Sequence, residues 1–315
     1  MIGWRRWVDW LTTPESALSL AIFRIASGIS IWLVVVPTLR DGAGVVWVDR
    51  AFGGVSRLVA SPWYAPWGAV TPGASAGWVA VALAAATALI LGFGGRVTAL
   101  VALQACLAVV DINPSAGGSY DELMFNGLWL LVLGSGSQTL SLDAWLRTGS
   151  VLPVSSIGRW ARFLVVFQLL LVYTTTGLQK VSAHWVPGGG STALYYILQQ
   201  PTWQLGDNTW LAFEPWFSLT RLGTMVTWLW EVSAPLWLLA WAASLPGAAW
   251  GRWLVVGRVR EAYAAIGLVL HFALLLVMNI GPFSWVSLSF YAALVHPEEW
   301  QSVLTRPATW GSRSP

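Results

Sequence analysis

Residues 17–36 read ALSLAIFRIASGISIWLVVV, twenty positions with a single charge, Arg24. A hydrocarbon core about 30 Å thick needs roughly 20 apolar residues in a helix, and this stretch supplies them. The rest of the chain agrees with that reading. Of 315 residues 10% are charged and 56% hydrophobic, and the mean hydropathy is +0.63. A soluble domain carries about 25% charged residues, so this chain lacks the polar groups to cover a water-exposed surface. Its 24 tryptophans exceed what a core needs. The indole, an apolar ring with one N–H donor, is enriched at membrane–water interfaces. A lone cysteine, Cys106, excludes an intrachain disulfide and a thiolate metal cluster. Nothing points to nucleic acid, to disorder or to a bound metal. The expected class is an all-α, polytopic membrane helical bundle.

Seven further stretches follow the first, at 77–92, 97–110, 123–133, 163–178, 225–243, 262–280 and 283–295. Asp111-Ile112-Asn113-Pro114 reads as a turn between the third and fourth, since proline cannot continue a helix. Gly281-Pro282 marks a hairpin or kink between the seventh and eighth. About eight transmembrane helices with the N-terminus inside place Arg5, Arg6, Arg96, Arg147, Arg159, Arg162, Arg252, Arg258, Arg260, Arg306 and Arg313 on the inner side. Arg40, Arg50, Arg57, Lys180 and Arg221 fall outside. Eleven against five puts both termini in the cytoplasm. Val36-Pro37-Thr38 has no small-x-small cleavage pattern, so the first span is expected to remain. Residues 1–16, with Trp4, Trp7, Trp10 and Leu11 at helical spacing, read as an interfacial helix. The segments 38–74 and 181–223 read as long, tryptophan-rich extracytoplasmic loops. The whole, 1–315, is expected to be a single domain.

Charges at membrane depth are costly and mark functional candidates. Arg24 either pairs structurally or contacts an anion. Asp121 and Glu122 open the fourth span, and either cap it or form a paired acid at a cavity mouth. Glu231 lies inside the sixth span and needs a partner, for which Arg24 is one candidate. His271 lies mid-span in the seventh and is either a packing residue or a proton carrier. Lys180 is the only lysine beside sixteen arginines. Arginine serves every topological role here but cannot lose its proton; a desolvated lysine can, and then acts as a base.

Around Lys180 the chain reads Gln168-x-x-x-Val172-Tyr173-x-x-x-Gly177-Leu178-Gln179-Lys180-x-x-x-x-Trp185-x-x-Gly188. This resembles the core motif of the vitamin K-dependent γ-glutamyl carboxylase superfamily, whose bacterial branch is the HTTM (horizontally transferred transmembrane) domain family. Phe23-Arg24-Ile25 with Gly28, Gly95-Arg96, Asp121 with Ser141-Leu142-Asp143, Glu231 with Pro235, and His271 with Ile280-Gly281-Pro282-Phe283 resemble further blocks in the same order. The resemblance implies that Lys180 is a base that deprotonates a hydroquinone. Oxygen then adds, and the strong base so formed removes a γ-proton from a glutamate to which CO₂ adds. It makes His271 the second catalytic candidate. Arg24, Tyr120, Asp121, Glu122, Tyr173, Trp185 and Glu231 are expected on the substrate side. It implies a quinone or quinol as cofactor and a bacterial inner membrane as the location. The partners expected are the lipid bilayer and either a lipid-soluble quinol or a secreted peptide. The competing reading is a non-catalytic factor for maturation or export of such a peptide, bound by the outer loops. A transporter is disfavoured, because no inverted repeat is evident.

Overall fold

A computed structural model describes residues 2–40, 42, 48, 62–67, 70–112, 117–245 and 251–304. Among these the chain forms α1 (Ile2–Thr12), α2 (Leu18–Arg40), α3 (Pro72–Leu91), α4 (Gly95–Val110), α5 (Ser119–Gly134), α6 (Leu142–Thr148), α7 (Trp160–Gln179), α8 (Ala193–Leu198), α9 (Trp216–Val232), α10 (Ala234–Ala243), α11 (Arg252–Val256), α12 (Val259–Val277), α13 (Phe283–Leu294) and α14 (Pro297–Leu304). The expected helical class holds, with one small addition. Strands β1 (Pro14–Ser16) and β2 (Ser156–Gly158) pair antiparallel and tie the approach to α2 to the approach to α7. Four helices, α2, α3, α7 and α12, are long and apolar enough to cross a membrane; α4, α10 and α13 are apolar but shorter. The long loop expected at 38–74 falls largely outside the described residues, as do Asn113, Pro114, Arg306 and Arg313.

Each apolar stretch of the sequence is helical, and local chemistry sets the boundaries. Thr71 caps α3 by accepting the Ala74 N–H at 3.2 Å, with Pro72 at the first helical position. Small residues of α3, among them Ala82, Ala85 and Ala86, are buried. A side chain on Gly28 of α2 would meet Ile90 at 2.7 Å and the Ala86 carbonyl at 2.8 Å, so these two helices approach backbone to backbone. The sixth stretch departs from expectation. It is not one helix over 225–243 but α9 and α10, broken at Ser233. Pro235 sits in the first turn of α10, where its missing N–H is harmless. α9 also begins at Trp216, inside the segment expected to be loop.

The helices gather their ends into two groups. At one end, rich in arginine, Glu15 receives two hydrogen bonds from Arg162, at 2.6 and 2.7 Å. Arg162 also donates to the Ala293 carbonyl and to His296 Nδ1, and lies 4.8 Å over Trp241. A guanidinium only donates, so His296 Nδ1 accepts and its Nε2–H donates to Ser244 Oγ at 2.7 Å. Arg260 holds Glu299 in the same region. α1 docks here, Trp7 and Trp10 stacking at 5.2 Å and meeting Phe163 edge-on. Trp4 stays exposed on the same helix. The other end holds α8, the loop after it and the last turns of α7 and α12.

Candidate functional site

Lys180 is the C-cap of α7, its N–H bonded to the Gly177 carbonyl at 3.2 Å. Its ammonium meets both carboxylate oxygens of Glu231 on α9 at 2.5 Å and lies 4.5 Å from the Trp185 ring centre. Gly177 makes the pair possible. A side chain there would fall 2.7 Å from Glu231 Cβ and 2.8 Å from the Val232 nitrogen. The two helices therefore cross at van der Waals contact one turn before the lysine.

A cavity of about 510 Å³ opens beside this pair. Its walls are mainly apolar, with Leu123, Val172, Trp230, Leu270, Leu274 and Phe283 among them. A second polar station faces it. Tyr173 Oη and His271 Nε2 are 2.7 Å apart, Tyr291 Oη lies 3.5 Å from Tyr173, and Ser284 Oγ lies 3.4 Å from His271 Nδ1. Both ring nitrogens of His271 therefore face an oxygen, so a proton on either has a partner. At one side of the cavity, the Asn279 N–H donates to the Trp203 carbonyl at 2.9 Å, and Gln204 bridges to Met278. This ties the loop after α8 to the end of α12. A smaller recess of about 350 Å³, lined by Ser182, His184 and Tyr196, adjoins the cavity and shares Trp185 and Ile197 with it.

Of the residues singled out in the sequence, Lys180, His271, Tyr120, Tyr173, Trp185 and Glu231 line this one cavity. The other three do not. Arg24 is buried and donates to the carbonyls of Gly136 (3.2 Å) and Leu140 (2.6 Å), against Gly92, at the arginine-rich end. It fixes the turn between α5 and α6, and the partner of Glu231 is Lys180. Asp121 turns back onto the Gly118 N–H at 2.8 Å as a cap of α5, and Glu122 is exposed. Sequence reasoning missed Tyr291, Ser284 and Trp203. Tyr291 lies two turns of α13 from Ser284, and only the packing of α13 on α7 and α12 brings both to His271. Among the described residues no three His, Cys, Asp or Glu side chains are grouped to hold a metal ion.

A family model described as the HTTM domain matches residues 12–300, nearly the whole chain, and the chain belongs to that family. No curated protein and no solved structure matches it.

Proposed function

We propose that this HTTM-domain protein crosses a bacterial inner membrane eight times with both termini in the cytoplasm, and that its outer cavity binds a quinol-like, lipid-soluble molecule whose proton is handled by Lys180 and Glu231. The eight crossings are α2, α3, α4, α5, α7, α9 with α10, α12 and α13, and the charge bias of the sequence supports their orientation. The observation that carries the functional reading is that the chain's only lysine is paired with a buried glutamate on the wall of an apolar cavity. His271 and Tyr173 provide a second hydrogen-bonding station on the same cavity.

The cavity suits a planar, largely apolar molecule with oxygen atoms at its edge. A hydroquinone bound there would supply a weakly acidic O–H. The chain's own groups do the rest. In a low-dielectric site the Lys180 ammonium can pass its proton to Glu231, leaving a neutral amine beside the cavity. That amine takes up a proton from the bound O–H and is again an ammonium, while Glu231 keeps the first proton, so charge is conserved. Trp185 covers the lysine, and the Trp203–Asn279 contact covers the outer side; both exclude water and strengthen the pairing. Tyr173 and His271 orient the bound oxygen and exchange protons with it.

The test is mass spectrometry of lipids that copurify with detergent-solubilised protein, wild type beside Lys180→Met. The expected result is a quinone enriched in wild type and depleted in the variant. No quinone in either, with both proteins folded, overturns the reading. A second reading rests on the exposed aromatic residues near the cavity end, Tyr196, Trp210, Phe213 and Trp216. These suit a non-catalytic factor that holds a secreted peptide. Peptide processing that depends on the protein but is unchanged in Lys180→Met would favour it.

A further inference from the structure

A second cavity, of about 680 Å³, lies at the arginine-rich end, where α4 begins, α5 ends and α7 begins. Its lining is polar, with Arg96, Ser135, Gln138, Ser156 and Trp160 contributing. Its volume falls in the range of pockets that hold small ligands, about 300–1,000 Å³. Arg96 is exposed, and among the described residues no hydrogen bond or ion pair engages its guanidinium. Arg96 is the charged side chain among the lining residues, and Gln138, beside it in the lining, takes two hydrogen bonds from Arg147 at 3.4 and 3.3 Å. The nearby carboxylate, Asp143, does not line it. One of its oxygens accepts the Gly94 N–H at 3.1 Å. Arg96 thus gives the cavity a positive charge, with no carboxylate among the lining residues.

The rim of this cavity continues into apolar surface. Val97 and Leu100 of α4 and Trp129 and Leu133 of α5 are exposed. With α4 and α5 crossing the membrane, as the proposed function has it and on which this inference rests, these residues would face lipid tails and Arg96 would sit at headgroup depth.

We propose that this cavity binds the headgroup phosphate of an anionic phospholipid, with its acyl chains along the exposed faces of α4 and α5. Basic pockets between helix ends attract anionic lipid through charge and hydrogen bonds to phosphate oxygens. A free phosphate would meet the same cation, and the apolar rim is what selects the lipid. The site is independent of the outer cavity and of what binds there.

The test is native mass spectrometry of the full-length protein in detergent, titrated with phosphatidylglycerol or with phosphatidylcholine of the same chains. Phosphatidylglycerol is expected to bind more tightly, and Arg96→Ala to weaken it about fivefold, the effect of about one basic side chain at a membrane surface. Ser156→Glu, on an exposed strand position, is expected to weaken it similarly without disturbing packing. Phosphatidylcholine carries the same phosphate but no net charge, so Arg96→Ala is expected to weaken its binding less than that of phosphatidylglycerol. Equal binding of the two lipids, or an unaltered preference in both variants, overturns the proposal. Full displacement of phosphatidylglycerol by glycerol phosphate assigns the site to a soluble anion and overturns the lipid assignment.

Discussion

At the arginine-rich end Glu15 faces Arg162 with side-chain exposures of 7% and 1%; at the cavity end Glu231 faces Lys180 with 11% and 23%. The chemistry of the two pairs is similar, and their surroundings are not. Arg162 also donates to a backbone carbonyl and to His296, and Trp241 covers its face. Lys180 looks onto a cavity. A buried pair enclosed by further partners holds helices together, and a buried pair with open space beside it can exchange a proton. Accessibility, more than the identity of the charges, separates a structural ion pair from a reactive one.

The sharpest way to break that comparison is to remove one partner from each pair. Glu15→Ala strands the buried Arg162 charge and also removes the carboxylate that lies 3.6 Å from Arg159. It is expected to cost about 3–5 kcal/mol, the range for breaking a buried pair. Lys180→Met leaves a carboxylate beside an open cavity where it can take up a proton, and a smaller loss of about 1–3 kcal/mol, that of an unpartnered buried polar group, is expected. Thermal melts of both variants in one detergent decide it. Equal losses would mean that the two pairs are not different in kind.

Gly177→Ala comes next in size. The added methyl must push α7 from α9 at the crossing that brings Lys180 to Glu231. Overpacking of this sort costs about 1–3 kcal/mol. The variant should also lose copurifying quinone, because the pair is pulled apart. A variant that is destabilised yet keeps its quinone would show that the pair is not needed for binding.

Acid should act on the arginine-rich end. Burial, with the positive charges of Arg162 and Arg260, holds the His296 imidazole at about 3, below its ordinary 6.5. The unfolded chain therefore takes up a proton below about pH 6.5 that the folded chain refuses until about pH 3. Stability from this group is complete above pH 6.5 and falls as pH drops, by up to about 1.4 kcal/mol per unit. Glu299 adds to this lower down. Burial alone would raise it, but hydrogen bonds from Arg260 and the His296 N–H outweigh that and hold it at about 2 against an ordinary 4.5. Its share is present above pH 4.5 and is lost as pH falls toward 2. Melting temperatures at pH 7.5 and 5.5 should differ in wild type and converge in His296→Gln. An unchanged difference in that variant would place the acid sensitivity elsewhere.

The two ends also differed in how far they could be read from sequence. The helices were legible because each apolar stretch near span length has one stable form in lipid. The break at Ser233 was marked by Pro235, although length alone argued for a single helix. At the cavity end, the single lysine and the motif around it located Lys180, Tyr173 and Trp185. Glu231 stood out as a charge in an apolar run. At the other end the sequence left Arg24 between a structural partner and an anion contact; it donates to backbone carbonyls, and no residue pattern announces those. The Glu15–Arg162–His296 cluster went unseen for a related reason. It joins residues 147 and 134 positions apart, and such contacts arise from packing.

The smallest effects test the mouth of the cavity, where the sequence offered Asp121 and Glu122 either as helix caps or as a paired acid. Asp121 is buried and accepts the Gly118 N–H, next to Tyr120 on the cavity wall. Asp121→Ala is expected to cost about 1 kcal/mol, as loss of a helix cap does. Glu122 points outward, and Glu122→Ala should change stability by less than about 0.5 kcal/mol. Because neither carboxylate lines the cavity, the quinone retained by either variant should match wild type once the Asp121 variant is compared well below its melting point. If Glu122→Ala alone released the bound molecule, the outer mouth would have to be redrawn to include that carboxylate. The reactive carboxylate would then no longer be Glu231 alone, and the contrast between a closed pair and an open one would need a third member.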